Sequence, residues 1–350
     1  MNKVPVGVLG ATGAVGQRFV QLLAGHPWFD LVAVAASERS AGKRYDEACS
    51  WKLDVPMPAA ARALVVQPAE PGLKCDLVFS ALDATIAGPL EEAFAAAGYA
   101  VLSNARNHRM ADDVPLLVPE VNPDHATLIE TQRRRRGWRG FIATNPNCST
   151  ATLVLALAPL ERRFGLQAVA VTTLQAISGA GYPGLPSLDI LGNVIPFIAG
   201  EEEKIERETK KILGKLTGDG VTPHPVTVSA QCTRVPVVDG HTASVFVTLG
   251  SDPGVEALKD AFRTYRGMPQ ERGLPSAPEH PTILVDEEDR PQPRLDVNLE
   301  RGMASVVGRV RRCGLMGYKF IVLGHNTIRG AAGAAILNAE LLHCQGLLAR

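Results

Sequence analysis

The tightest constraint on what this chain can become lies near its start. Gly10-Ala11-Thr12-Gly13-Ala14-Val15-Gly16 separates an apolar run, Val4 to Leu9, from a stretch, Ala14 to Ala24, that carries Val15, Phe19, Leu22 and Leu23 at helical spacing. A strand that turns through glycines into a helix brings bare backbone and unpaired helix N–H groups to one point, which is what a pyrophosphate needs. The spacing is G-x-x-G-x-x-G, not the usual G-x-G-x-x-G, so position after a strand and before a helix gives the motif its weight. A tight turn without a ligand is the competing reading. Gly10, Thr12, Gly13, Ala14, Val15 and Gly16 are the candidate cofactor contacts.

Leu31 to Ala36, Asp76 to Ala81, Ala100 to Ser103 and Phe141 to Thr144 are further short runs, apolar on both faces, with helical material such as Pro89 to Ala97 between some of them. Such runs suit a parallel sheet covered on both sides. After Thr150 the pattern changes. A helix, Ala151 to Arg163, leads into alternating strands at Ala168 to Ile177, Val226 to Thr233, Thr242 to Leu249, Met303 to Arg311 and Lys319 to Leu323. The expected class is α/β: a Rossmann-type parallel-sheet dinucleotide-binding domain over residues 1–147 and a mixed α+β catalytic and dimerisation domain over 148–326. The final helix, Thr327 to Leu348, is rich in alanine and leucine, and residues 327–350 are expected to pack back on the first domain. The alternating strands offer a sheet face that could pair across a two-fold axis.

Lysine plus arginine equals aspartate plus glutamate at 36 each, so no net field draws the molecule to nucleic acid or to a membrane, and a small-molecule partner is the expectation. The six cysteines show neither C-x-x-C nor Cys/His ligand spacing; no metal site and no disulfide framework are expected. Met1 to Leu9 lacks a signal-peptide pattern and no apolar run is long enough to span a bilayer, which points to a cytoplasmic chain. Arg133 to Arg136 falls in a loop-like stretch and reads as a solvated surface insertion, with an anion or nucleic-acid patch as the alternative.

Cofactor choice is read after the second strand. Ser37, Arg39, Ser40 and Lys43 favour the 2′-phosphate of NADP, while Glu38 could serve the ribose hydroxyls of NAD, which keeps NAD open. The nucleophile candidate is Cys148 in Asn145-Pro146-Asn147-Cys148-Ser149-Thr150. Pro146 blocks an earlier helix start and Asn147 or Ser149 can cap, so the sulfur is expected at a helix N-terminus, where dipole and free N–H groups favour a thiolate. A small buried cysteine at a packed corner is the bland alternative. Beside a dinucleotide turn, a thiolate implies aldehyde oxidation through a thioester that phosphate can cleave.

The glycine turn, Asn145 to Thr150, Gln175-Ala176-Ile177-Ser178-Gly179-Ala180-Gly181, Glu201-Glu202-Glu203-Lys204 and Arg234 through His241 follow one another as in aspartate-semialdehyde dehydrogenases, which the chain resembles over nearly its whole length. Ser37 to Lys43 and Gly179 to Pro183 resemble the archaeal and fungal branch more than the common bacterial one. The resemblance implies Cys148 as nucleophile, His241 as general acid/base and Gln175 as an orienting residue. It implies Arg234 for the substrate carboxylate, Glu202 for its amine, and Lys204 and Arg109 for phosphate. Ser80, Ser178, Gly179 and Asn326 join the implied cofactor contacts, and a homodimer or homotetramer is implied. His241 also stands out chemically, because imidazole exchanges protons near neutral pH and this one follows the turn pair Asp239-Gly240 at a strand start. Arg234 could instead be a solvent-facing strand residue, Glu202 and Lys204 part of an exposed helix face, and Asn326 a helix cap. The tract Gln132 to Arg139 looks like an extra loop beyond the family's compact form. Two rivals remain open: a sibling reductase acting on N-acetyl-glutamyl phosphate or malonyl-CoA, and a non-catalytic dinucleotide-binding regulator.

Overall fold

The computed structural model describes residues 3–348, so Met1, Asn2, Ala349 and Arg350 of the expected terminal segments lie outside the described residues. The first sheet contains β1 (Val4–Leu9), β2 (Phe29–Ala36), β3 (Val66–Pro68), β4 (Leu77–Ser80), β5 (Ala100–Ser103) and β6 (Phe141–Thr144) in the order β3-β2-β1-β4-β5-β6, with every pair parallel. β4, β5 and β6 are buried along their whole length, which is why they read as continuous apolar runs. Chain order reverses at β1, so the crevice beyond its C-terminal end is the natural ligand position of such a sheet. The glycine turn lies there.

Glycine is required in that turn. Gly10 has φ +73°, and a Cβ on Gly16 would lie 2.1 Å from the Gly10 carbonyl oxygen. The Ala14–Leu23 helix can therefore sit against β1 only with a bare Cα at position 16. Gly16 is thus a packing glycine turned into the protein, not a surface offered to a ligand.

The second sheet is mixed. β7 (Leu166–Gln175) runs ahead of a small ribbon, β8 (Lys215–Thr217) with β9 (Gly220–Thr222), and then come β10 (Thr227–Arg234), β11 (His241–Leu249), β12 (Thr282–Leu284), β13 (Ser305–Cys313) and β14 (Gly317–Gly324). The sheet order is β10-β7-β11-β14-β13-β12, with β7–β10 and β12–β13 parallel and the rest antiparallel. In β11 His241, Ala243, Val245, Val247 and Leu249 are buried while the residues between them are half-buried. Leu153, Leu157 and Leu160 of the Cys148–Phe164 helix and Leu258 and Phe262 of the Val255–Thr264 helix pack on the buried face. His241 thereby points to the same side as the helix that begins at Cys148.

The C-terminal segment begins as a π-turn at Ile328–Ala332 before the Gly333–Cys344 helix. Ala335, Ile336, Ala339 and Leu342 join Val6, Phe19 and Phe79 in the first core. The expected loop at Gln132 to Arg139 is a correction: Leu128–Arg136 is helical and Gly137 ends it with φ +66°. Its arginines are not a free anion patch. Arg133 pairs with Glu130 and lies over Phe141, Arg134 and Arg135 meet Asp219, and Arg136 grips Asp113 and lies over Trp138. The helix expected from Pro89 begins earlier, at Ala84, because Asp83 caps it by accepting from the Thr85 N–H.

Gly16→Ala should lower unfolding stability by about 1–3 kcal/mol through overpacking against the Gly10 carbonyl. Gly13→Ala, where the nearest atom would be 3.4 Å away, should cost far less. Urea denaturation of the two variants checks the contrast.

Candidate active site

Cys148 opens its helix, three residues earlier than the apolar pattern alone places the start. Asn147 is the cap: its Oδ1 accepts from the Ser149 and Thr150 N–H groups at 3.0 and 3.3 Å. Asn147 is itself held from outside. Its N–H donates to Glu208 Oε2 at 2.6 Å and its Nδ2 donates to Glu201 Oε2 at 2.8 Å. Both carboxylates come from the Glu201–Ile212 helix and both are buried. Lys204 Nζ meets the other Glu201 oxygen at 2.6 Å, and Arg109 meets Glu208 at 2.9 Å. Four of the charges in this wall are therefore mutually compensated.

The opposite wall comes from the second sheet. Register places Arg234 of β10 beside Gln175 of β7, and Thr242 of β11 beside Leu174, so Gln175, Arg234 and His241 share one end of the sheet. All three are buried. Gln175 Nε2 donates to Glu201 Oε2 at 3.2 Å, and Arg234 donates to the Ala176 carbonyl at 2.7 Å. The solvent-facing alternative for Arg234 is thus excluded by its place on the inward side of the strand. A Cβ on Gly179 would lie 2.8 Å from an Arg234 nitrogen and 3.0 Å from His241 Nε2, so only a bare backbone fits over this pair.

The imidazole of His241 is fixed in one role. The Ala176 N–H donates to Nδ1 at 3.0 Å, so the neutral ring carries its proton on Nε2. Nε2 is buried and has no partner among the described residues, leaving a donor aimed into the site. Burial, with the Arg234 charge, pulls the imidazole down to about 3, so the ring is neutral at working pH. Cys148 departs from the thiolate expectation. Burial, then the Glu201 carboxylate, pushes the thiol up to about 12, against the opposing pull of Arg109, Arg234 and the Ser149 N–H. The residue keeps part of its surface exposed, where solvent works against that rise. The resting group is a thiol, and the cations beside it are what would favour its ionisation.

Glu202 does not face the site. Its Oε1 accepts from the Cys232 N–H at 3.0 Å, and Glu206, one turn on, accepts from the Ala230 N–H at 3.0 Å, so this face of the helix satisfies the free edge of β10. Glu201, Lys204 and Glu208, spaced i, i+3, i+7, form the face that reaches Asn147. Glu201 is therefore the carboxylate in the position expected of Glu202.

A cleft of about 700 Å³ runs from Gly10, Thr12 and Gly13 past Ser37, Glu38 and Arg39 to Asp83. A second of about 370 Å³ continues from Ala14 and Arg18 to Ser178, Gly181 and Thr327. Together they follow the course of an extended dinucleotide from the strand end toward the Gly179 loop. Of the expected contacts, Ser80 and Asn326 are buried, while Ser40 and Val15 are half-buried. Ser80 is fully buried, its carbonyl taking the Asn104 N–H and Nδ2 groups. The Ser40 N–H donates to the Ser37 carbonyl, and Val15 packs partly on the first core. Asn326 is buried as a tie, accepting from the Gly240 N–H and donating to Ser178 Oγ; it caps no helix.

Two family models match the chain: semialdehyde dehydrogenase, NAD binding domain, over residues 5–129, and semialdehyde dehydrogenase, dimerisation domain, over residues 157–329. The aspartate-semialdehyde dehydrogenase of Archaeoglobus fulgidus is 54% identical across 96% of this chain and 97% of its own length. The chain belongs to the aspartate-semialdehyde dehydrogenase family. The member from Cryptococcus neoformans is 51% identical across 99% of this chain and 98% of its own, in keeping with the archaeal and fungal likeness. The crystal structure of the Candida albicans enzyme with NADP superimposes with a TM-score of 0.91 at 45% identity, covering 99% of this chain and 100% of that one. The chain is accordingly an oxidoreductase with a Rossmann-type cofactor domain.

Sequence reasoning missed Glu201, Glu208 and Asn104. The i, i+3, i+7 pattern of Glu201, Lys204 and Glu208 was a visible signal for the first two. Asn104 had none, since its part depends on β5 ending beside β6, where its Oδ1 accepts from Asn145 Nδ2 at 2.8 Å.

Because Glu201 holds the thiol up, Glu201→Gln should raise the thiolate fraction and speed alkylation of Cys148 at pH 7 by several-fold, with the rate curve moving to lower pH. Iodoacetamide labelling of the peptide containing Cys148, followed from pH 6 to 10, reads this directly; an unmoved or alkaline-shifted curve contradicts it.

Proposed function

We propose that this site interconverts L-aspartate-4-semialdehyde plus phosphate and L-4-aspartyl phosphate through a thioester on Cys148, with NADP, in the supply of lysine, threonine and methionine. The observation that carries the assignment is the pairing of opposite charges across one sulfur: buried Arg234 on the sheet side and buried Glu201 on the helix side. A substrate whose α-carbon, two bonds from the reacting carbon, carries a free carboxylate and a free ammonium needs both.

Arg234 holds the α-carboxylate and Glu201 the α-ammonium, with Gln175 setting the orientation between them. Cys148 gives its proton to solvent, with Arg109 and Arg234 favouring the anion, and as thiolate adds to the aldehyde carbon; the developing oxyanion takes a hydrogen bond from His241 Nε2–H. The glycine turn and the cleft over Ser37 and Arg39 fit a dinucleotide, which when bound supplies the hydride acceptor; Arg39 favours the 2′-phosphate of NADP. Lys204 and Arg109 hold the incoming phosphate, which attacks the thioester carbonyl and releases the Cys148 thiolate. N-acetyl-glutamyl phosphate and malonyl-CoA bring no free ammonium for Glu201 to bind, and a non-catalytic regulator has no use for a donor at His241.

We assign residues 1–147 to the cofactor domain and 148–326 to the catalytic domain, with residues 327–350 joining the first. Ala170, Thr172 and Leu174 of β7, with Ser244 and Phe246 of β11, form a half-open sheet face, and Leu188, Leu191 and Phe197 stand exposed in the segment after β7. A second copy covering this surface gives the homodimer, and a pair of dimers the homotetramer. No helix among the described residues is long and apolar enough to cross a membrane, and the cytoplasm is the proposed location.

Cys148→Ser should lower kcat by roughly a thousandfold or more while the NADP dissociation constant stays unchanged. Initial rates with NADP, phosphate and the semialdehyde, set beside a cofactor titration, test this. Turnover near the parent rate removes Cys148 from the mechanism.

A further inference from the structure

The most deeply buried ion pair among the described residues lies outside the catalytic walls. Arg329, fully buried, donates to both carboxylate oxygens of fully buried Glu120, at 2.8 and 2.6 Å. Arg329 is the second residue of the π-turn Ile328–Ala332. The next residue, Gly330, rests on the nucleophile: a Cβ there would lie 2.6 Å from Cys148 Cβ and 2.9 Å from Cys148 Cα. The residue after that, Ala331, accepts from Asn145 Nδ2 at 2.8 Å, three positions before the sulfur. Two consecutive backbone units of the turn therefore touch the nucleophile segment.

Glu120 is anchored in turn. Its carbonyl accepts from Arg162 Nη2 and from the Tyr265 hydroxyl, each at 2.7 Å. Arg162 belongs to the last turn of the helix that starts at Cys148. The contacts close a circuit: nucleophile helix to Glu120, Glu120 to Arg329, Arg329 through Gly330 back to Cys148. Two charges sealed from water cannot part without leaving each uncompensated, so the turn has one register against the helix. A π-turn in place of a regular helical start is a common device for bringing backbone to a functional group.

We propose that the Glu120–Arg329 pair is a positioning device for Cys148, acting through Gly330 and Ala331 and touching neither substrate nor cofactor. It rests on the reading of Cys148 as nucleophile, and it predicts a loss in the chemical step with binding spared.

The test is the full-length double variant Glu120→Leu/Arg329→Met, which keeps apolar volume and strands no charge, with Arg329→Lys beside it. For folded double variant, NADP affinity and the KM for phosphate should stay within about threefold, kcat should fall roughly tenfold or more, and iodoacetamide labelling at Cys148 should change several-fold. A double variant that binds NADP normally and keeps kcat and the labelling rate within about twofold overturns the proposal, whatever its melting temperature. Should the double variant not fold, Arg329→Lys decides: a partial loss of kcat with unchanged cofactor binding supports it, and full activity overturns it. Gly330→Ala must reproduce the kcat loss, since it presses on the sulfur's own Cβ; full activity there also overturns it. Labelling reads the geometry of the thiol without turnover, so failure of the nucleophile reading, seen in an active Cys148→Ser, is told apart from failure of this one.

Discussion

The side chain and N–H of Asn147 are the junction on which the site depends. One residue caps the helix that starts at Cys148 and donates to two buried carboxylates of another helix, Glu201 and Glu208. Without those donors, two carboxylates would be buried on partial compensation, and without the cap the helix would begin elsewhere. The position of the sulfur and the position of the anionic wall are therefore set together. Lys204 and Arg109 complete the balance, so cations expected to hold phosphate also make the wall tolerable in the resting protein.

The electrostatics of the site work in opposition. Burial and Glu201 keep Cys148 a thiol, while Arg109 and Arg234 pull toward thiolate. His241 is stripped of its positive form by the same burial and by Arg234. The result is a protected sulfur and a neutral N–H donor that share Arg234 and Glu201 as charged neighbours. An oxyanion that takes the donor changes that balance only when chemistry is under way.

Much of this was legible in the residues. The β5 and β6 runs were read to the residue because strands buried on both faces carry uninterrupted apolar sequence. Cys148 was legible because proline and an amide cap mark a helix start locally. The helix at Leu128–Arg136 was hidden, since four consecutive arginines look solvated until Asp113 and Asp219, distant in sequence, are seen to meet them. Glu201 was confused with Glu202 because a motif gives identity without facing: neighbours on a helix point about 100° apart, and only the free edge of β10 tells which one is already occupied. The side chains of Asn326 and Ser80 are buried in the protein, a facing that no local pattern carries.

The proposed reaction requires a covalent acyl group on one sulfur. The direct measurement is a rapid-mixing experiment with NADP and L-aspartate-4-semialdehyde in the absence of phosphate, followed by acid quench and peptide mass spectrometry. A burst of NADPH near one per site, with the aspartyl mass on the peptide containing Cys148 and its loss on adding phosphate, is the predicted result. NADPH formation without any adduct on that peptide would contradict it.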